Sequence, residues 1–270
     1  MTPTDAPMTP AEAPAPAALV DPVPAGLTGP TVVKSSLGDT TVVPDDFVGP
    51  LPPGAQRASD FRRMQATYDH IASGQSQVQF DTSNFLTGKD PVADPEGYLK
   101  AVQDAEAFRQ KYLGDMRELV KTGPGLELLA TLDAAKNKTT IKQSTGPRNT
   151  TTDDDHAKAM LLPDGTRNAG TGATVAMNTS LTTYAKPGQA EEPWMTERDK
   201  YGLYHELVHA YHDGRGDAAP GKHVSNGRPL DTLEFQTMGL GPYAAEPISD
   251  NAIRAAMGKA PRPDYGGYAW

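Results

Sequence analysis

The sequence predicts an α+β fold with a small sheet, preceded by a disordered N-terminal tail. Three observations carry this: helical apolar spacing from Ser59 onward, two short strand-like runs in mid-chain, and a further helix near residue 200 followed by irregular sequence.

Residues 1–57 hold 12 of the 25 prolines, and Lys34 is their one basic residue before Arg57. Such a stretch buries too little apolar area to offset its ordering entropy, so it reads as disordered. Within it, Val32, Val33, Val42 and Val43 in "TVVKSSLGDTTVVPDDF" have the character of a local hairpin. Residues 58–270 read as one domain. "SDFRRMQATYDHIASG" places Phe61, Met64, Tyr68 and Ile71 at helical spacing and stops at Gly74. A second helix begins at Pro95 behind the capping residue Asp94, with Tyr98, Leu99, Val102, Ala105 and Phe108 on one face and Gly114 as the point where it would break. "GLELLATLDAAKN" forms a third helix that faces the core with Leu126, Leu129 and Leu132. "KTTIKQS" reads as a strand, and residues 145–172 as loop or irregular hairpin. "ATVAMNTSL" alternates as a half-buried strand does.

Bulk composition narrows the function. A net charge of −9 and a pI near 5.1 exclude a nucleic-acid partner, since phosphate binding needs a surplus of Lys and Arg. With no cysteine, neither a disulfide framework nor a thiolate metal site is possible. No apolar run has the length to cross a bilayer, and the N-terminus lacks the basic start and apolar stretch of a Sec signal, so neither membrane insertion nor Sec export is expected.

"YHELVHAYHDGRGD" concentrates the chemistry. Thr196 and Asp199 have capping-box spacing, which predicts a helix from Glu197 to Asp213 with Gly214 as its stop. His205 and His209 lie four apart, so on a helix both imidazoles reach one ion, and Glu206 beside them can hold a water at an open position. Leu203, Leu207, Val208 and Tyr211 would anchor this active-site helix to the core. Two imidazoles need a third protein ligand to hold Zn2+. Glu234, set among Leu230, Leu233 and Met238, is the preferred candidate, because a carboxylate in apolar surroundings needs a partner or a metal; Asp231 and Glu246 are the reserves. His212 shares the face of His205 two turns on and is expected to cap the last turn as a cation. His70, His156 and His223 have no spacing partners and read as surface residues.

"HELVHAYH", preceded by "GTGATVAMNTS" and followed by "LEFQTMGL" and "PISDNAIRAAMGKAPRPDY", resembles the NleD-like family of type III secreted zinc metalloproteases of bacterial pathogens, peptidase family M91, over about residues 122–265. The resemblance implies a zincin-like metalloprotease domain with Zn2+ as cofactor. It also implies delivery into the host cytoplasm by type III secretion and a host protein substrate, with mitogen-activated protein kinases as one class. Residues 1–57 would then be the secretion and translocation segment, a place for a secretion chaperone. Family members often carry Glu-Glu before x-x-Thr-x-Gly; here Leu233-Glu234 precedes "FQTMG", so the second Glu is kept and the first is not. Arg262 and Tyr265 in "RPDY" resemble the Arg-x-x-Tyr pair that clostridial neurotoxin proteases use beside their metal, which implies a role in stabilising the oxyanion. The alternative is that both tie down the C-terminal tail. Arg254 is a weaker candidate for the same role.

Two other functions fit the same residues. One is a catalytically silent adaptor that binds a host protein and whose zinc is closed by four protein ligands, with His212 or Asp231 as the fourth. The other is a bacterial toxin domain delivered by a different route. In the endopeptidase reading, "ATVAMNTS" is the sheet edge to which extended substrate adds.

Overall fold

The computed structural model of the chain describes residues 22–185, 188–225 and 228–263. The fold is α+β, and part of the segment expected to be a tail forms strands. β1 (Thr31–Val33) pairs antiparallel with β2 (Thr40–Val43), and β3 (Gln56–Arg57) adds parallel to β2. Residues 22–57 are therefore ordered, a correction to the disorder expected from their composition. Average composition hides the spacing: Val23, Val33, Leu37 and Val42 are all buried and pack into the main core with Phe61 and Met64. Four well-placed apolar side chains anchor a segment that proline content alone would leave loose. The rest of that expectation, residues 1–21, lies outside the described residues.

α1 (Ala58–Ala72) follows β3 directly and buries Phe61, Met64, Tyr68 and Ile71 as the spacing requires. β4 (Val78–Asp81) and the one-turn α2 (Ser83–Leu86) come next; a run as short as Val-Gln-Phe-Asp carries too little periodicity to announce a strand. α3 (Pro95–Leu119) opens as expected, with the Asp94 carboxylate accepting from the Gly97 amide at 3.0 Å, but it passes through Gly114 without a break. A helical glycine costs only about 1 kcal/mol, and burial of Leu113 and Met116 on either side offsets that. Its buried stripe is Ala101, Ala105, Phe108 and Tyr112; Leu99 and Val102, expected on the inner face, are exposed. α4 (Gly123–Asp133) buries Leu126, Leu129 and Leu132, with Leu128 added, and packs against α1.

β5 (Thr139–Gln143), β6 (Thr150–Asp153), the short α5 (His156–Ala159) and β7 (Ala173–Met177) follow. The main sheet runs β4-β5-β7-β6, with β4, β5 and β7 parallel and β6 antiparallel to β7 through Thr151 opposite Val175. β7 is thus an interior strand, and the edge position expected of it belongs to β6. Thr-Thr-Thr-Asp has no apolar alternation and so reads as loop, yet β-branched threonines suit an edge with a polar face.

α6 (Arg198–Arg215) lies against β6 and β7 on one side and α4, α3 and α8 on the other, where α8 is Asp250–Ala256. Both of its expected ends shift. The Thr196–Asp199 capping box does not form: the Thr196 hydroxyl donates to the Pro193 carbonyl, Asp199 pairs with Lys111 of α3 at 2.7 Å, and Glu197 turns the chain in a left-handed conformation (φ 54°). The helix also continues through Gly214 to Gly216 (φ 67°). A Cβ at Gly216 would lie 2.5 Å from the Asn168 carbonyl oxygen, so glycine alone fits where the chain leaves the helix. Beyond it, β8 (Lys222–Ser225) and β9 (Arg228–Asp231) form a hairpin that leads into α7 (Thr232–Met238).

Candidate metal centre

Every residue of α6 from Tyr201 to Asp213 is buried, including Leu203, Leu207, Val208 and Tyr211, so core packing fixes the helix. One turn apart on it, His205 and His209 bring their Nε2 atoms to 3.1 Å of each other. The Glu234 Oε2 atom, delivered by α7, lies 3.2 Å from each. Among the described residues this is the one group of three such side chains placed to hold a metal ion. A tetrahedral ion at about 2.0–2.1 Å from each ligand sets neighbouring donor atoms about 3.3–3.4 Å apart. The observed triangle has nearly those edges, and its two-nitrogen, one-carboxylate donor set suits zinc.

The electrostatics agree with the donor set. Two ring nitrogens and a carboxylate oxygen facing one point are favourable with a cation among them. With no metal bound, a proton serves: burial pulls the pKa of His209 down, but the Glu234 carboxylate outweighs this and lifts it to about 9. Burial likewise pushes Glu234 up, yet the charge of His209 and hydrogen bonds from both histidines hold it well below the usual carboxylate range. On its other side, His209 Nδ1 is 3.0 Å from the Thr237 hydroxyl of α7. That bond orients the ring and leaves Nε2 facing the centre.

Glu206 is buried beside the pair, and the Thr151 hydroxyl of β6 donates to its Oε2 at 2.8 Å; the same hydroxyl lies 2.9 Å from the Glu206 carbonyl oxygen. A sheet edge therefore steadies the carboxylate next to the histidines. Neither reserve ligand joins the cluster. Asp231 is half-exposed and pairs with Lys222, and Glu246 is outside the group. His212 does not join the cluster either. It is buried, and its Nδ1 lies 2.8 Å from Asp217, which also takes Arg215 at 2.9 Å and Arg167 at 3.0 Å. His212 thus lies in the last turn of α6, as expected, with a carboxylate as its partner. Of the remaining histidines, His156 and His223 are exposed, while His70 bridges α1 to α4 through Asp133 at 2.6 Å.

Arg262 is buried, its guanidinium 4.9 Å from the Tyr184 ring centre and 4.0 Å from Asp250. Its backbone is tied to Asn251 by bonds of 2.7 and 3.0 Å. It borders a pocket that opens on His205 and Glu206. Tyr265 lies outside the described residues. Arg254 is spent on structure, bonded to Asp250 at 2.9 Å and to the Trp194 carbonyl at 3.0 Å. Sequence reasoning missed Thr151, which sits in the unread strand. It also passed over Thr237, although this is the Thr of the x-x-Thr-x-Gly pattern after Glu234. The family model Peptidase_M91, described as an effector protein, matches residues 97–265. No curated protein and no solved structure matches the chain.

Proposed function

The chain belongs to the peptidase M91 family of effector proteins, and on that premise we propose that it is a zinc-dependent endopeptidase that a bacterium secretes to cleave host-cell proteins. The observation that carries this reading is the His205–His209–Glu234 triangle with the Glu206 carboxylate held beside it by Thr151.

His205, His209 and Glu234 would hold the ion. Zinc there would polarise the scissile carbonyl and acidify a water at the open position. Glu206 accepts the proton of the attacking water and passes it to the leaving amine. Thr151 keeps the carboxylate aimed while it does so. Arg262, at the rim of the same pocket, supplies positive charge toward the developing oxyanion, and Tyr265 is assigned beside it on the Arg-x-x-Tyr resemblance. The outer edge of β6 offers main-chain groups to an extended peptide, a role moved here from β7. Host signalling kinases as substrates, type III delivery to the host cytoplasm and a chaperone for the N-terminal segment belong to the same proposal. No described helix is long and apolar enough to cross a membrane.

The adaptor reading needs a fourth protein ligand, and its two candidates are engaged elsewhere, His212 by Asp217 and Asp231 by Lys222. Glu206→Gln decides between the two. The variant should bind one zinc per chain, measured by metal analysis, while cleavage of host-cell lysate proteins falls about 10²–10⁴-fold. Undiminished cleavage would overturn the assignment of the base.

A further inference from the structure

Asn149 stands immediately before β6 and Thr151 two residues on, a spacing that turns both side chains of an extended chain to one face. That face meets α6 in register. Thr151 reaches Glu206, and the Asn149 Nδ2 atom lies over Gly202, one helical turn earlier. Gly202, His205 and Glu206 line a pocket of about 50 Å³, and Asn149 forms part of its wall. The direction of the amide is fixed from behind. The Asn178 backbone N–H donates to Asn149 Oδ1 at 2.9 Å, and a backbone N–H can meet only the oxygen of the amide. Asn178 itself donates to the Gly146 carbonyl at 2.7 Å and accepts from the Ser180 amide at 2.9 Å, which pins the loop between β5 and β6 to the end of β7. Nδ2 remains a donor, and none of the described residues accepts from it. Gly202 makes room for it. A Cβ at 202 would lie 2.4 Å from Nδ2, so a side chain there would displace the amide, although glycine is a poor residue for a helix interior.

We propose that Asn149 Nδ2 donates to a main-chain carbonyl of the bound peptide, one that flanks the scissile bond. The inference rests on the endopeptidase reading and adds a substrate-binding residue to it. A peptide arriving along the outer edge of β6 brings unpaired carbonyls beside Glu206. A neutral, preset donor meets one of them without setting a second charge against the Glu206 carboxylate. The space is roughly that of a few water-sized groups, which suits a peptide group and excludes a large side chain.

The probe is a peptide copied from a site that wild type cuts in host-cell lysate, tested on zinc-loaded protein. Asn149→Ala should raise KM so that kcat/KM falls about tenfold, with zinc content unchanged by metal analysis. Asn149→Asp keeps the bond from Asn178 but sets an acceptor against the carbonyl, and the fall should reach about a hundredfold. Gly202→Ala separates binding from folding. Alanine favours the helix and the flexible amide turns aside for it, so Tm should hold or rise while kcat/KM falls severalfold. An alkene isostere replacing each flanking peptide bond in turn identifies the carbonyl: at the right bond wild type should lose about tenfold, and Asn149→Ala should lose nothing further. If Asn149→Ala or Gly202→Ala cuts the parent peptide as well as wild type does, the inference is overturned and the endopeptidase reading stands. If wild type cuts no host protein, that reading fails and this inference falls with it.

Discussion

The two halves of the candidate metal centre are built differently. The imidazoles stand on an 18-residue helix buried from Tyr201 to Asp213, whereas the carboxylate stands on a seven-residue helix reached through the exposed β8–β9 hairpin. Apolar packing holds the first half. The second adds polar ties to the burial of Phe235 and Met238: Gln236 accepts from the Ala219 amide at 2.8 Å and donates to the Asp217 carbonyl at 3.0 Å, and Thr237 meets His209. The imidazoles are thus carried by a long helix within the main core, and the carboxylate by a short helix fixed to it by polar bonds.

That contrast can be broken from either side. His209→Ala removes a ligand from the first half and should abolish stoichiometric zinc, read by metal analysis. Glu234→Ala should leave the two imidazoles in place and weaken zinc by more than about a hundredfold, since loss of a ligand exceeds the 10–100-fold typical of outer partners. If Glu234→Ala instead bound zinc as tightly as wild type, α7 would not be part of the centre. Thr237→Val sharpens the comparison by cutting only the tie between the halves, and zinc affinity should fall about 10–100-fold by competitive chelation with the fold unchanged by circular dichroism.

The smallest effect concerns pH. Burial pushes Asp213, at the end of α6, up to about 7. Its folded pKa exceeds its unfolded one, so the stability it contributes is complete below about pH 4 and is lost as pH rises through about 7. Metal-free protein should therefore have a lower urea midpoint at pH 7 than at pH 5. Asp213→Asn should flatten that difference, and an unchanged slope would assign it to another group.

The same division explains what could be read from the sequence. His205, Glu206 and His209 share one helix, so spacing alone places them together. Glu234 was reachable because a carboxylate among apolar residues needs a partner. Thr151 was not legible, because 55 positions of chain separate it from Glu206 and only the fold brings them together. Helix ends were misread where tertiary contacts override local signals: Asp199 serves Lys111 instead of a cap, and the Asn168 carbonyl demands glycine at 216, not 214. The hairpin before β3 was visible in its valines, but its anchoring was hidden by the surrounding prolines.

That hairpin also sets how the protein yields to traction. Thr31 and Val43 are both at its open end, so a pull on the N-terminus opens β1 from β2 one rung at a time, starting at Thr31 and Val42. The two parallel rungs between β2 and β3 are then loaded in shear before tension reaches α1. A machine that threads this chain N-terminus first would meet this hairpin before the helix that carries His205 and His209.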